Sequence, residues 1–186
     1  MLNLPNSLTL IRILSIPFFL MLLSSRLYLE ALMVFLVSGL TDALDGAVAR
    51  LTAQQTWLGA YLDPVADKLL IGSSFVMLGA IGGIPPWFAV LVISRDVIIL
   101  LGYASIYLLV SERLEVRPSI IGKCNTFFQL ATVGAVLVVL GAPGLLPAAL
   151  TDGLIAVTTV TTVASGLHYL YRGFVWLQNR APSWGS

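Results

Sequence analysis

An all-α integral membrane protein of six transmembrane helices is predicted by three features of the sequence. Of 186 residues, 58% are hydrophobic and 10% charged, against about 25% charged in ordinary soluble domains. The charged residues are clustered, leaving apolar stretches near the roughly 20 residues that a bilayer-crossing helix needs. Turn-forming Gly and Pro separate several of those stretches.

The spans read, in order, near Leu8 to Ser25, Ala31 to Ala49, Asp67 to Gly82, Trp87 to Val110, Cys124 to Leu140 and Leu154 to Tyr171. Ahead of the first, Asn3, Asn6, Ser7 and Thr9 alternate with leucines, and Pro5 suits a helix start. A short interfacial helix is expected there, and Pro17 is expected to kink the first span. No Lys or Arg precedes Arg12 and no small-residue cleavage site follows, so this segment reads as an anchor and not as a secretory signal. Gly82-Gly83-Ile84-Pro85-Pro86 and Gly141-Ala142-Pro143-Gly144 read as tight hairpin loops. The tail from Gln178 reads as loosely ordered. No repeat or second domain is evident, so residues 1–186 form one membrane domain.

With six spans the two termini share a side. That side holds Arg12, Arg50, Lys68, Arg113, Arg117, Lys123, Arg172 and Arg180, and the other holds Arg26. Lys and Arg are retained on the cytoplasmic face, so both termini are expected in the cytoplasm, most simply of a bacterial inner membrane.

Ten Lys and Arg against nine Asp and Glu give a net charge of +1, which provides no basic field for nucleic acid. One cysteine, Cys124, and one histidine, His168, make no zinc set. Any metal must be held by oxygen.

Four of the nine acidic residues lie within 26 residues: Asp42, Asp45, Asp63 and Asp67. On helices, the i,i+3 pair Asp42/Asp45 and the i,i+4 pair Asp63/Asp67 each share a face. If their helices are antiparallel neighbours, the pairs face each other. Close carboxylates repel by about 1 kcal/mol per pair in water and roughly 4 at an effective dielectric of 20. One or two hard divalent cations reverse that sign, and Mg²⁺ favours a phosphate ligand, hence two-metal phosphoryl chemistry. Gly46 and Gly59 allow close backbone approach, and Arg50 offers a forked phosphate donor. The alternative is ordinary helix-end pairing, Asp42 and Asp45 with Arg50, Asp63 and Asp67 with Lys68. Acidic residues near membrane spans are costly and usually functional, which argues against that for all four.

The pattern Asp42-x2-Asp45-Gly46-x2-Ala49-Arg50-x8-Gly59-x3-Asp63-x3-Asp67 resembles the signature of the CDP-alcohol phosphatidyltransferases at every fixed position. The six-span layout is similar too. The resemblance implies transfer of a phosphatidyl group from CDP-diacylglycerol to an alcohol, with release of CMP and with Mg²⁺ or Mn²⁺ in a two-metal site. It implies that Asp42, Asp45 and Asp63 hold the metals and pyrophosphate, while Asp67 joins the metal site and takes the acceptor's proton. Asp45, Gly46, Ala49, Arg50 and Gly59 would line the CDP-diacylglycerol site. Asn6 and Thr9, with Arg12, either close over the nucleotide or cap and anchor the first helix.

For the acceptor, L-P-N-S-L-T-L-I-R and Y-L-D-P-V-A-D-K-L resemble both the phosphatidylglycerophosphate synthases and the cardiolipin synthases. I-S-R-D-V at Arg95 and Asp96, and R-P-S-I-I-G-K-C-N-T from Arg117 to Thr126, look more like the latter. The resemblance therefore favours phosphatidylglycerol as acceptor, with glycerol 3-phosphate as the alternative. Arg95, Arg117, Lys123 and Asn125 are the acceptor-site candidates. Arg95 and Asp96 serve equally as a helix-locking ion pair, and Arg117 and Lys123 as anchors to anionic headgroups. His168, Tyr169 and Tyr171 read as an interfacial aromatic belt, Cys124 as packing, and the Gly79 to Gly83 spacing as helix packing or a homodimer contact. A cation transporter is the remote alternative. Its site would lie near the bilayer midplane, and Gly46, Arg50 and Gly59 would be idle.

Overall fold

The computed structural model describes the backbone over residues 4–52, 57–110 and 119–180, and side chains at 10–41, 65–102, 119–175 and 178. The described residues form six helices and no strand: α1 (Leu4–Ser24), α2 (Tyr28–Thr52), α3 (Trp57–Ala80), α4 (Pro86–Val110), α5 (Ile120–Gly141) and α6 (Ala148–Arg180).

The tight turns fall where Gly and Pro demand them. Gly82 has φ 76°, and the Gly83 amide donates to the carbonyl of Leu78 at 2.8 Å, closing the end of α3. Gly144, at φ 95°, reverses the chain between α5 and α6. Between α1 and α2 the positive φ falls on Arg26, at 60°.

Three boundaries correct the sequence reading. Among the described residues no separate interfacial helix precedes the first span, because α1 runs unbroken from Leu4, with Pro17 inside it. The third helix begins at Trp57, ten residues before the expected Asp67, since a span bounded by charge starts at the Asp63–Lys68 stretch and the helix runs through it. The last continues through Gln178 to Arg180.

The helices close a ring in the order α1, α2, α5, α6, α4, α3, with α3 also touching α5. Both acidic helices pack against α1. Residues of the α3–α4 turn (Gly82 to Pro86) and of the α5–α6 hairpin (Val139, Leu140, Thr151, Asp152) line one crevice of about 430 Å³, so both turns lie at one end. The α1–α2 turn joins them, because Leu29 sits where a Cβ on Gly141 would go, at 2.8 Å.

The apolar core fills this end and the middle of the bundle. Phe19 packs on Phe35, ring centroids 6.0 Å apart, and Phe75 meets Phe88 edge-on at 5.4 Å, with Leu23, Leu78, Val92, Val133 and Leu137 fully enclosed. Gly79 lets α3 approach α4, where an added Cβ would lie 3.2 Å from that of Ala89. Outside, Leu14, Met33, Val90, Phe127 and Leu167 are exposed on five helices, and apolar surface on every side suits lipid more than water. Among the described residues, Ile120–Gly141 and Ala148–Val175 are each long and apolar enough to cross a membrane. Cys124 faces outward and is exposed, so it does not pack in the core.

Towards the opposite end the α5–α6 seam turns polar. Asn125 Oδ1 accepts from the hydroxyls of Thr161 at 3.0 Å and Thr162 at 2.8 Å, and Thr132 meets Thr158 at 2.8 Å. Between these rungs Gln129 is fully buried, and neither amide atom has a hydrogen-bond partner among the described residues. A buried polar group left unmade costs about 1–3 kcal/mol. Gln129→Leu is therefore expected to stabilise the protein by about 1 kcal/mol or more, read as a higher thermal unfolding midpoint in detergent. An unchanged or lower midpoint would mean that the amide is engaged in the membrane.

Candidate active site

The alternation of helices brings the start of α1, the end of α2, the start of α3 and the start of α5 to the end opposite the turns. The backbone of α2 carries Asp42, Asp45, Gly46, Ala49 and Arg50 in its last three turns, and that of α3 carries Gly59, Asp63 and Asp67 in its first three. Asn6 and Thr9 fall in the opening turns of α1. Of these residues the side chain is described at Asp67 alone. Arg117 lies outside the described residues.

Asp67 is held by a residue 55 positions away. Arg12 Nη1 donates to Asp67 Oδ1 at 3.2 Å. The arginine side chain is 1% exposed and the carboxylate 41%, so a buried guanidinium fixes a carboxylate that opens to solvent. A charge-assisted bond of this kind orients the group. Arg12 thus acts through Asp67 in addition to any capping role in α1.

Among the described residues Lys68, the next residue, pairs with Asp96 and not with Asp67 as the helix-end alternative required; the Asp63 side chain lies outside them. Its Nζ donates to Asp96 Oδ1 on α4 at 2.6 Å, and Arg95 Nη1 donates to the same oxygen at 2.6 Å. Lys68 and Asp67 are adjacent in sequence and so point to different sides of α3, one to α1 and one to α4. The other guanidinium nitrogen of Arg95, Nη2, donates to Ser165 Oγ on α6, and the ring of Tyr169 lies under the group, 5.5 Å from Cζ. Tyr169 belongs to this network and not to a simple interfacial belt. Its hydroxyl accepts the backbone amide of Ser119 at 3.3 Å.

Ser119 caps α5, its hydroxyl accepting from the Gly122 amide at 3.0 Å. The first turn so anchored carries Lys123, which is exposed. Asn125 lies one turn inward, fully buried, with its carbonyl committed to α6. Of the acceptor candidates, Arg95 and Asn125 are therefore enclosed and Lys123 is open.

Sequence reasoning did not select Lys68 or Tyr169 as site residues. The signal for Lys68 was its place one step beyond the acidic pattern. For Tyr169 none was available, since its role depends on three helices meeting. Among the described residues no three His, Cys, Asp or Glu side chains are grouped to hold a metal; the side chains of Asp42, Asp45 and Asp63 lie outside them.

A sequence model of the CDP-alcohol phosphatidyltransferases matches residues 2–164. The chain belongs to that family. A probable phosphatidylglycerophosphate synthase of Mycobacterium tuberculosis is 34% identical, the match covering 91% of this chain and 81% of the relative. A probable CMP-forming cardiolipin synthase of Drosophila melanogaster is 31% identical, over 90% of this chain and 56% of the relative. A CDP-diacylglycerol–glycerol-3-phosphate 3-phosphatidyltransferase of Bacillus subtilis is 31% identical, over 74% and 77%. As a CDP-alcohol phosphatidyltransferase the protein is a transferase of phospholipid biosynthesis. Two apolar helices and the family together indicate a membrane protein, and the family is generally divalent-metal dependent.

Proposed function

We propose that this CDP-alcohol phosphatidyltransferase transfers a phosphatidyl group from CDP-diacylglycerol to phosphatidylglycerol, giving cardiolipin and CMP. The observation that carries the choice of acceptor is the sequence around Arg95 and from Arg117 to Thr126, which resembles the cardiolipin synthases more than their glycerophosphate-using relatives. The Lys68–Asp96–Arg95 cluster, two cations on one carboxylate, adds positive charge that suits the phosphate of either acceptor. Glycerol 3-phosphate remains the second reading, supported by the names of the Mycobacterium and Bacillus relatives.

All six helices cross the bilayer in this reading, with the charged end and both termini in the cytoplasm of a bacterial inner membrane. A nucleotide headgroup then meets the protein at the water boundary while its acyl chains stay in lipid. Asp42 and Asp45 on α2 and Asp63 and Asp67 on α3 are the ligands for Mg²⁺ or Mn²⁺. The fit rests on donor chemistry: an all-carboxylate set on two helix ends, of which Asp67 is open and held in place by Arg12. Bound there, the metals would neutralise the pyrophosphate and stabilise the departing CMP.

The rest falls to side chains. Gly46, Ala49, Arg50 and Gly59 take the CDP moiety, closed over by Asn6 and Thr9. Arg95, Lys68, Lys123, Arg117 and Asn125 form or support the acceptor site. Asp67 takes the acceptor hydroxyl's proton. The oxygen forms a bond to the lipid-linked phosphorus, the pyrophosphate P–O bond breaks, and CMP leaves with the electron pair. Of the two uses expected for Gly79 and Gly83, packing within the chain is the one they serve, against Ala89 and against Leu140 and Leu78.

The test is CMP release by purified protein with CDP-diacylglycerol and Mg²⁺ or Mn²⁺, offering phosphatidylglycerol and glycerol 3-phosphate separately and weighing each lipid product. Cardiolipin, formed only with phosphatidylglycerol, is expected. Phosphatidylglycerophosphate formed only with glycerol 3-phosphate would replace the acceptor, and no metal-dependent CMP with either would return the transporter.

A further inference from the structure

We infer that Tyr169 is a positioning residue for the acceptor site, coupling the α4 cation Arg95 to the first turn of α5; this rests on the acceptor reading above. One side chain makes both contacts. The ring lies under the Arg95 guanidinium, 5.5 Å from Cζ. The hydroxyl accepts the Ser119 amide at 3.3 Å, at the residue that caps α5. Four residues further on α5 stands Lys123, exposed at the same end.

Arg95 needs such a support. It is 8% exposed, and its two terminal nitrogens are spent on Asp96 and Ser165. Two of its groups are thereby fixed in the guanidinium plane, and the aromatic face of Tyr169 supplies the contact out of that plane, as cation–π attraction favours. Ser165 and Tyr169 are four residues apart on α6, so one face of that helix grips the arginine twice. If the acceptor phosphate is held between the Lys68–Arg95 cluster and Lys123, the tyrosine sets their separation.

The glycine opposite gives an independent sign that the contact is built in. A Cβ on Gly122 would lie 3.0 Å from the Tyr169 hydroxyl oxygen and 3.2 Å from Ser119 Oγ, against 3.5 Å from the ring carbon Cε2. The hydroxyl is thus the tightest of the three contacts a methyl at 122 would make, ahead of Ser119 Oγ. Removing that oxygen should relieve the tightest contact and leave the one to Ser119, and this coupling is what the test reads.

In lipid nanodiscs, initial rates of CMP release would be measured with the acceptor varied at saturating donor and the donor varied at saturating acceptor. Tyr169→Phe keeps the ring and loses the hydroxyl; it is expected to raise the acceptor KM about three- to tenfold, with the donor KM unchanged. Tyr169→Leu, which also loses the ring, is expected to raise it by more than tenfold, about the sum of both contacts. Gly122→Ala is expected to raise the acceptor KM on its own, and to raise it less in the Tyr169→Phe background. An acceptor KM unmoved in Tyr169→Leu, a parallel rise in the donor KM, or strictly additive effects of Gly122→Ala and Tyr169→Phe would each overturn the clamp. An inactive wild-type enzyme would instead overturn the functional reading, and the clamp with it.

Discussion

Asp67→Asn is expected to lower turnover by about 10²–10⁴-fold, the range for a lost general base, while CDP-diacylglycerol still binds. The substitution is nearly isosteric, and its amide carbonyl can still accept the bond that Arg12 Nη1 gives to Asp67 Oδ1. The buried arginine therefore keeps a partner, and the α1–α3 contact is retained. What disappears is a carboxylate able to take the acceptor's proton. Asp42→Asn is expected to act differently, raising the metal concentration needed for half-maximal CMP release. Measuring turnover, donor binding and metal dependence for both variants separates the roles. Retained activity in both would sink the mechanism, and loss of donor binding in Asp67→Asn would make that residue a ligand first and a base second.

Arg12 illustrates what a linear reading can and cannot find. Six helices and two tight turns followed from the lengths of the apolar stretches between charges and from Gly and Pro, because those signals are local. The four carboxylates stood out because charge is rare in this chain. Which cation meets which carboxylate was not legible: Lys68 adjoins Asp67 in sequence, yet a helix turns neighbouring side chains about 100° apart, so Lys68 reaches α4 and Asp67 reaches α1. Helix order was hidden for a similar reason. α1 packs along both α2 and α3, a contact no local signal announces; the side chains of Asp42, Asp45 and Asp63 lie outside the described residues. Tyr169 carried a weak interfacial signal that its actual contacts, from α4 to the cap of α5, replace. Asn125, singled out as an acceptor residue, has its carbonyl bonded to Thr161 and Thr162, so any influence on the acceptor passes through the α5–α6 seam.

Asp96→Ala and Lys68→Met should separate stability from acceptor binding within one cluster. Asp96 accepts from both Lys68 Nζ and Arg95 Nη1 at 2.6 Å, and its side chain is only 12% exposed. Removing it leaves Arg95, 8% exposed, without its carboxylate and beside a second positive charge. Breaking a buried pair from one side costs about 3–5 kcal/mol, so Asp96→Ala is expected to lower the thermal unfolding midpoint sharply. Lys68 is 33% exposed, and solvent screens its share of the pair to about 1 kcal/mol or less. The methionine also keeps most of the aliphatic stem. Lys68→Met is therefore expected to unfold near the wild-type temperature while its acceptor KM rises several-fold, because the more accessible of the two cations has gone. The expected order is thus Asp96→Ala far worse in stability and Lys68→Met selectively worse in acceptor use. Equal midpoints would mean that water already solvates Asp96. An acceptor KM unchanged in Lys68→Met would make the cluster a lock between α3 and α4, with the acceptor's phosphate held elsewhere.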